Sequence, residues 1–128
     1  MMNYSRRQQD EHRVRLAAGL TGFALMIPAE QILSADKRDH RIARARQIAM
    51  YLAHVGLGMS LARIATALDR DRSTVAYGCH KIEDFRDDPQ IDEWLDGLEE
   101  QLRGVAEYGR WSATAGASDQ SLRRMQLS

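Results

Sequence analysis

The stretch that most restricts the fold is SLARIATALDRDRSTVAYGCHKIEDFR, residues 60–86. Leu61, Ile64, Ala65 and Leu68 recur at intervals of three and four, and after a break Val75, Cys79, Ile82 and Phe85 do the same. Each set is the signature of an amphipathic helix with one buried face. Ser60 suits the cap of the first helix, because its hydroxyl can accept from an early N–H that has no intrahelical partner. DRD leaves only a short turn between the two. Helices joined so closely cross at an angle, with small Ala65 at the contact and Leu68 and Val75 filling the corner. This is helix-turn-helix spacing.

The second helix opens with a crowd of polar groups: Arg70, Asp71, Arg72, Ser73 and Thr74, followed by Tyr77, His80 and Lys81. An ordinary solvated face explains them. So does a helix whose first turn enters the major groove of DNA, with its unpaired N–H groups favouring phosphate nearby. Spacing alone leaves both readings open.

The charge pattern bears on that choice. The chain has 128 residues and no formal net charge, from 18 basic and 18 acidic side chains. Segment 37–81 carries nine basic and three acidic residues, whereas 82–107 carries two basic and ten acidic. A basic half followed by an acidic half suits a polyanion partner for the first, or an unevenly charged globule. The single cysteine, Cys79, excludes an internal disulfide and falls on an apolar face, as a buried thiol does. No apolar run reaches the length of a membrane span, and the N-terminal residues lack a signal-peptide core, so the expected location is cytoplasmic.

The remaining pattern is also helical, and the expected fold class is all-α, a small helical bundle around the helix-turn-helix. Residues 1–9 read as a flexible polar start, 10–107 as the domain, and the Gly/Ser/Ala-rich 108–128 as a flexible tail. Helices are expected from about 10 to 27, in PAEQILS, and from about 42 to 55, where Ile42, Ala45, Ile48, Ala49, Leu52 and Val55 share a face. A last helix after Pro89 bears the stripe Ile91, Trp94, Leu95, Leu98 and Leu102 against acidic residues.

Residues 42–84, IARARQIAMYLAHVGLGMSLARIATALDRDRSTVAYGCHKIED, resemble the C-terminal DNA-binding domain of the bacterial replication initiator DnaA. ARARQIAMYL matches the family's helix after its basic loop, SLARIA its short helix, and RDRSTVAYGCHKIE its recognition helix. PAEQILSADKR matches the approach to the basic loop more loosely. The resemblance implies double-stranded DNA as partner. It places the minor-groove arginine at or near Arg38, backbone contacts at Arg46 and Gln47, with His54, Leu61 and Ala62 further backbone-side positions. Arg70 and Asp71 then fall at the start of the reading helix, Thr74 on phosphate, and Lys81 on a basic position further along. Two departures alter the reading end. Arg72 replaces a histidine and opens a bidentate guanine contact, and Ser73 replaces a threonine and loses a methyl. In addition, the turn before Arg70 is shorter than the family's and lacks its paired glycines, and Ala45 replaces a proline.

No phosphate-binding G-x-x-x-x-G-K-[ST] loop occurs, so no nucleotide, no other cofactor and no ATPase are expected. His12, His40, His54, His80 and Cys79 show no metal-ligand spacing. No motif supports an enzyme. The expected function is sequence-specific binding at DnaA-box-like sites, regulating replication initiation or transcription. The alternative is a protein-interaction module that self-associates or takes a partner through the 89–106 stripe.

Overall fold

The computed structural model describes residues 5–34 and 39–115, with side chains to residue 107. Its elements are α1 (Arg6–Leu25), α2 (Ala29–Leu33), α3 (His40–Tyr51), α4 (Leu61–Leu68), α5 (Arg72–Phe85) and α6 (Pro89–Ala115). Among the described residues there is no strand, and the all-α class holds.

Local chemistry sets the helix ends. α1 begins earlier than its apolar period indicates. Ser5 and Gln8 form a reciprocal capping box, the Ser5 hydroxyl accepting from the Gln8 N–H and the Gln8 side chain from the Ser5 N–H. The flexible start expected for 1–9 is therefore corrected from Ser5 onward, and residues 1–4 lie outside the described set. The Asp39 carboxylate accepts from the Arg41 N–H at 2.8 Å and starts α3 two residues before its first apolar position. After Tyr51 the helix widens into a π-helical turn, Leu52–Gly56, and Gly58 takes a positive φ of 68° to leave it. Ser60 caps α4 as its sequence predicts, accepting from the Arg63 N–H at 3.2 Å.

One core joins most elements. Val14 and Ala17 of α1, Ile48 and Leu52 of the α3 segment, and Ile64 of α4 are buried together. Val75, Cys79 and Ile82 of α5 and three leucines of α6 complete it. A smaller cluster of Ala18, Ile27, Ile32, Ala45 and Ala49 seats α2 against α1 and α3. Gly22 lets the chain turn back from α1, since a β-carbon there would collide with the Ile27 carbonyl oxygen. Gly78 permits a close α3–α5 crossing; a β-carbon would lie 3.1 Å from Gln47 Cγ.

The α6 stripe is spent inside the molecule. Leu95, Leu98 and Leu102 are buried in the core, Ile91 is half-buried, and Trp94 remains 37 % exposed at the edge. Each leucine contributes about 1.5–3 kcal/mol by leaving water, which accounts for the stripe without a partner. This overturns the interaction-module reading based on a free stripe. α6 also continues to Ala115, so the expected tail boundary at 108 falls inside a helix; residues 116–128 lie outside the described set. Phe85, predicted on the buried face of α5, is instead partly exposed, with the Arg44 guanidinium 4.6 Å from its ring centre. Among the described residues no helix is long and apolar enough to cross a membrane.

Candidate nucleic-acid interface

The α4–α5 turn is built by backbone geometry. Asp69 adopts a left-handed conformation with φ 55°, which stops α4. The Arg70 N–H then donates to the Ala65 carbonyl at 2.9 Å and the Asp69 N–H to Thr66 at 3.2 Å. The helix end is thus closed without the glycines that such a turn usually recruits. Asp71 occupies the N-cap of α5, yet its side chain makes no capping hydrogen bond. The carboxylate is exposed, as are Arg72, Ser73 and Thr74 in the first turn.

Charge along α5 opposes what helix stability alone favours. Apart from Asp71 at the cap, the first turn contains Arg72 and no acid, whereas Glu83 and Asp84 occupy the last turn, which has no basic residue. A helix dipole favours the reverse by about 0.3–1 kcal/mol for each charge. A cation and unpaired N–H groups at one exposed end make a concentrated anion-attracting point.

The sequence-predicted residues do not all occupy that surface. Gln47 is half-buried beside Gly78 and accepts from Arg44 Nη1 at 3.0 Å. Lys81 is half-buried on α5. Arg38 lies outside the described residues. Of the further backbone-side positions, His54 and Leu61 are half-buried and Ala62 is exposed, and His54 Nδ1 donates to the Met59 carbonyl at 2.7 Å.

Arg46 requires a correction. It is only 6 % exposed; its Nε donates to the Ile32 carbonyl and its Nη2 to Ser34, both at 2.7 Å. These carbonyls end α2, where no following turn can satisfy them. Arg46 therefore caps α2 from beneath and is engaged with protein, where an exposed phosphate contact was expected. Arg70 is half-buried, and its Nη2 donates to the same Ser34 carbonyl at 2.7 Å.

Local periodicity did not reveal the long-range ion pairs. The Arg63 guanidinium grips both oxygens of buried Asp10, at 2.9 and 2.6 Å, and ties α1 to the first helix of the turn. At the opposite end of α5, Arg86 donates to Tyr51, Asp92, Asp96 and Glu99. Three acidic residues of α6 are thereby used to anchor that helix. Tyr77, 63 % exposed, and exposed His80 extend the free face of α5; helical spacing from Ser73 already placed them there. Among the described residues no group of three His, Cys, Asp or Glu side chains could hold a metal ion.

Two helices joined by a tight left-handed turn, with a polar first turn on the second, make a helix-turn-helix. Residues 24–82 match the family described as the bacterial dnaA protein helix-turn-helix, and this segment is a helix-turn-helix of the DnaA type. The chromosomal replication initiator protein DnaA of Lachnoclostridium phytofermentans is 43 % identical over 65 residues, 49 % of this chain and 14 % of that protein. The chain thus spans about a seventh of the length of that curated relative. A crystal structure of a DNA replication initiation factor superposes with a TM-score of 0.68 at 28 % identity, covering 77 % of this chain and 30 % of the other.

Proposed function

We propose that the protein binds double-stranded DNA sequence-specifically at DnaA-box-like elements and thereby regulates replication initiation or transcription. The exposed first turn of α5 carries this reading, because its charge order is unfavourable for the helix and suited to an anion. In this arrangement the turn enters the major groove. Asp71 accepts from a cytosine or adenine amino group, and Arg72 donates two hydrogen bonds to guanine. Ser73 and Thr74 lie beside them at the groove edge. Gln47 on α3 and Lys81 further along α5, both half-buried, are assigned backbone-side contacts, which set affinity and register more than sequence. Arg38 takes the adjoining minor groove, whose narrow A·T form attracts a guanidinium. The initiator activity named for the curated relative supports a replication setting.

Selection from a randomised duplex library tests this. Enrichment of one asymmetric element related to a DnaA box is the expected result. Recovery of an unenriched pool by a folded protein overturns sequence-specific binding.

A further inference from the structure

Arg44 and Gln47 are neighbours on the surface of α3, and both are half-buried. Arg44 Nη1 donates to Gln47 Oε1 at 3.0 Å. A guanidinium has donors only, so it takes the oxygen of the amide and fixes which way that group points. The Gln47 stem also packs on α5, where a β-carbon on Gly78 would lie 3.1 Å from Cγ and 3.6 Å from Cβ. Among the described residues the amide makes no second hydrogen bond, and no buried side-chain polar atom is left without a partner. The Gln47 nitrogen is therefore open to solvent, with its N–H groups unspent. Arg44 is itself held: its guanidinium carbon lies 4.6 Å from the centre of the Phe85 ring, at the C-terminal end of α5.

We propose that Arg44 is a positioning residue: seated on Phe85, it takes the oxygen of Gln47 and leaves the amide nitrogen as a ready donor to a DNA phosphate. This rests on the DNA-binding reading, in which Gln47 touches the backbone. An untethered glutamine gives up rotamers on binding, and in half of its amide orientations it presents an oxygen that a phosphate repels. With the oxygen already engaged, that ordering is complete before DNA arrives. Arg44 thus acts on every duplex alike and takes no part in the choice of bases.

The link is tested first without DNA. The side-chain amide resonances of Gln47 are compared in the wild-type chain, Arg44→Ala and Phe85→Leu. Both substitutions are expected to move them toward the values of a free glutamine. Resonances unmoved in Arg44→Ala overturn the link. Anisotropy on the selected element, over a range of salt, then follows Arg44→Ala, Gln47→Ala and the double variant. Gln47→Ala is expected to weaken binding about tenfold, the loss of one hydrogen bond to a charged group. Arg44→Ala is expected to weaken it about fivefold with the salt slope retained, since a neutral amide displaces no counterion. The double variant should bind no more weakly than Gln47→Ala. Phe85→Leu, which keeps apolar bulk and both polar partners, gives a loss of about twofold in the same direction. A fivefold loss that persists in the Gln47→Ala background, with a slope shallower by about 0.9, makes Arg44 a phosphate contact and overturns the positioning role. Equal affinity for the wild type and Arg44→Ala overturns it as well. So does full affinity in Gln47→Ala, which removes Gln47 from the backbone while leaving DNA binding in place. A wild-type chain that binds no duplex removes the DNA reading itself and the positioning role with it, whatever the amide resonances show.

Discussion

Arg63 of α4 and Asp10 of α1 meet in a two-bond fork, 53 residues apart in the chain, with the Asp10 carboxylate almost wholly buried. Such a pair is less valuable than its geometry suggests, because both charges leave water to form it. Breaking it from one side is costly, since a buried group is left unpaired. Asp10→Ala is expected to lower the melting temperature by about 5 °C in a thermal scan. Arg63→Ala acts in the same direction, and the double variant loses less than the two losses added together. Additive losses would show that the fork contributes nothing of its own.

Arg86 anchors α6 through Asp92, Asp96 and Glu99 while also donating to the Tyr51 hydroxyl at 2.9 Å. Arg86→Ala leaves Glu99 buried without this partner and is expected to cost about 2–3 kcal/mol in denaturant unfolding. Sequence preference on DNA should survive, since this network lies at the C-terminal end of α5, away from the reading turn.

Tyr51 gives that network a pH signature. Burial, and then donation to Glu83 at 2.6 Å, push its hydroxyl up to about 12 from 10.0. A folded-state value raised in this way favours the protonated phenol. Its contribution is complete below pH 10 and declines as pH rises from 10 to about 12. Unfolding midpoints measured across that window should fall less steeply in Tyr51→Phe than in the wild type. Parallel profiles would contradict a neutral, donating Tyr51.

Gly22 and Gly19 both lie in α1, and their substitution by alanine should have opposite signs. Alanine is favoured over glycine inside a helix by about 1 kcal/mol. At Gly19 a β-carbon meets nothing within 4 Å, so Gly19→Ala should stabilise. At Gly22 it would strike the Ile27 carbonyl, and Gly22→Ala should destabilise despite the same propensity gain. Matched thermal scans of the two variants check the pair.

Arg46 and Arg72 separate support of the fold from reading of DNA. Arg46→Ala removes a buried donor from the Ile32 and Ser34 carbonyls, so stability and affinity for every duplex should fall together. Arg72→Ala alters an exposed side chain, so the melting temperature should hold while sequence preference relaxes. Affinity lost at Arg46 with the melting temperature unchanged would restore a direct phosphate role.

These contrasts show what was legible in the chain. Ser60, the period of Leu61, Ile64, Ala65 and Leu68, and that of Val75, Cys79 and Ile82 encode their caps and buried faces within a few residues. The structure buries Ile64, Ala65, Val75, Cys79 and Ile82, packs half-buried Leu61 and Leu68 against them, and leaves Phe85 at the edge. The α6 stripe was equally legible, but whether it met core or partner depended on what lay opposite, which no local period records. Arg46 shows the same limit. The resemblance to the DnaA domain places it on a phosphate, and only the carbonyls of α2, brought beneath it by tertiary packing, make it a buried cap. The Ser5–Gln8 box was local and visible in principle, with a hydroxyl followed three residues later by glutamine, but no apolar period follows closely enough to mark it.

Fluorescence anisotropy with a labelled DnaA-box-like duplex, against a scrambled duplex of equal composition and at two salt concentrations, tests the central claim most directly. The predicted result is a clear preference for the box that disappears in Asp71→Ala while the salt slope is kept, because Asp71 reads a base and neutralises no phosphate. Equal affinity for both duplexes, unchanged by Asp71→Ala, would contradict a base-reading first turn on α5.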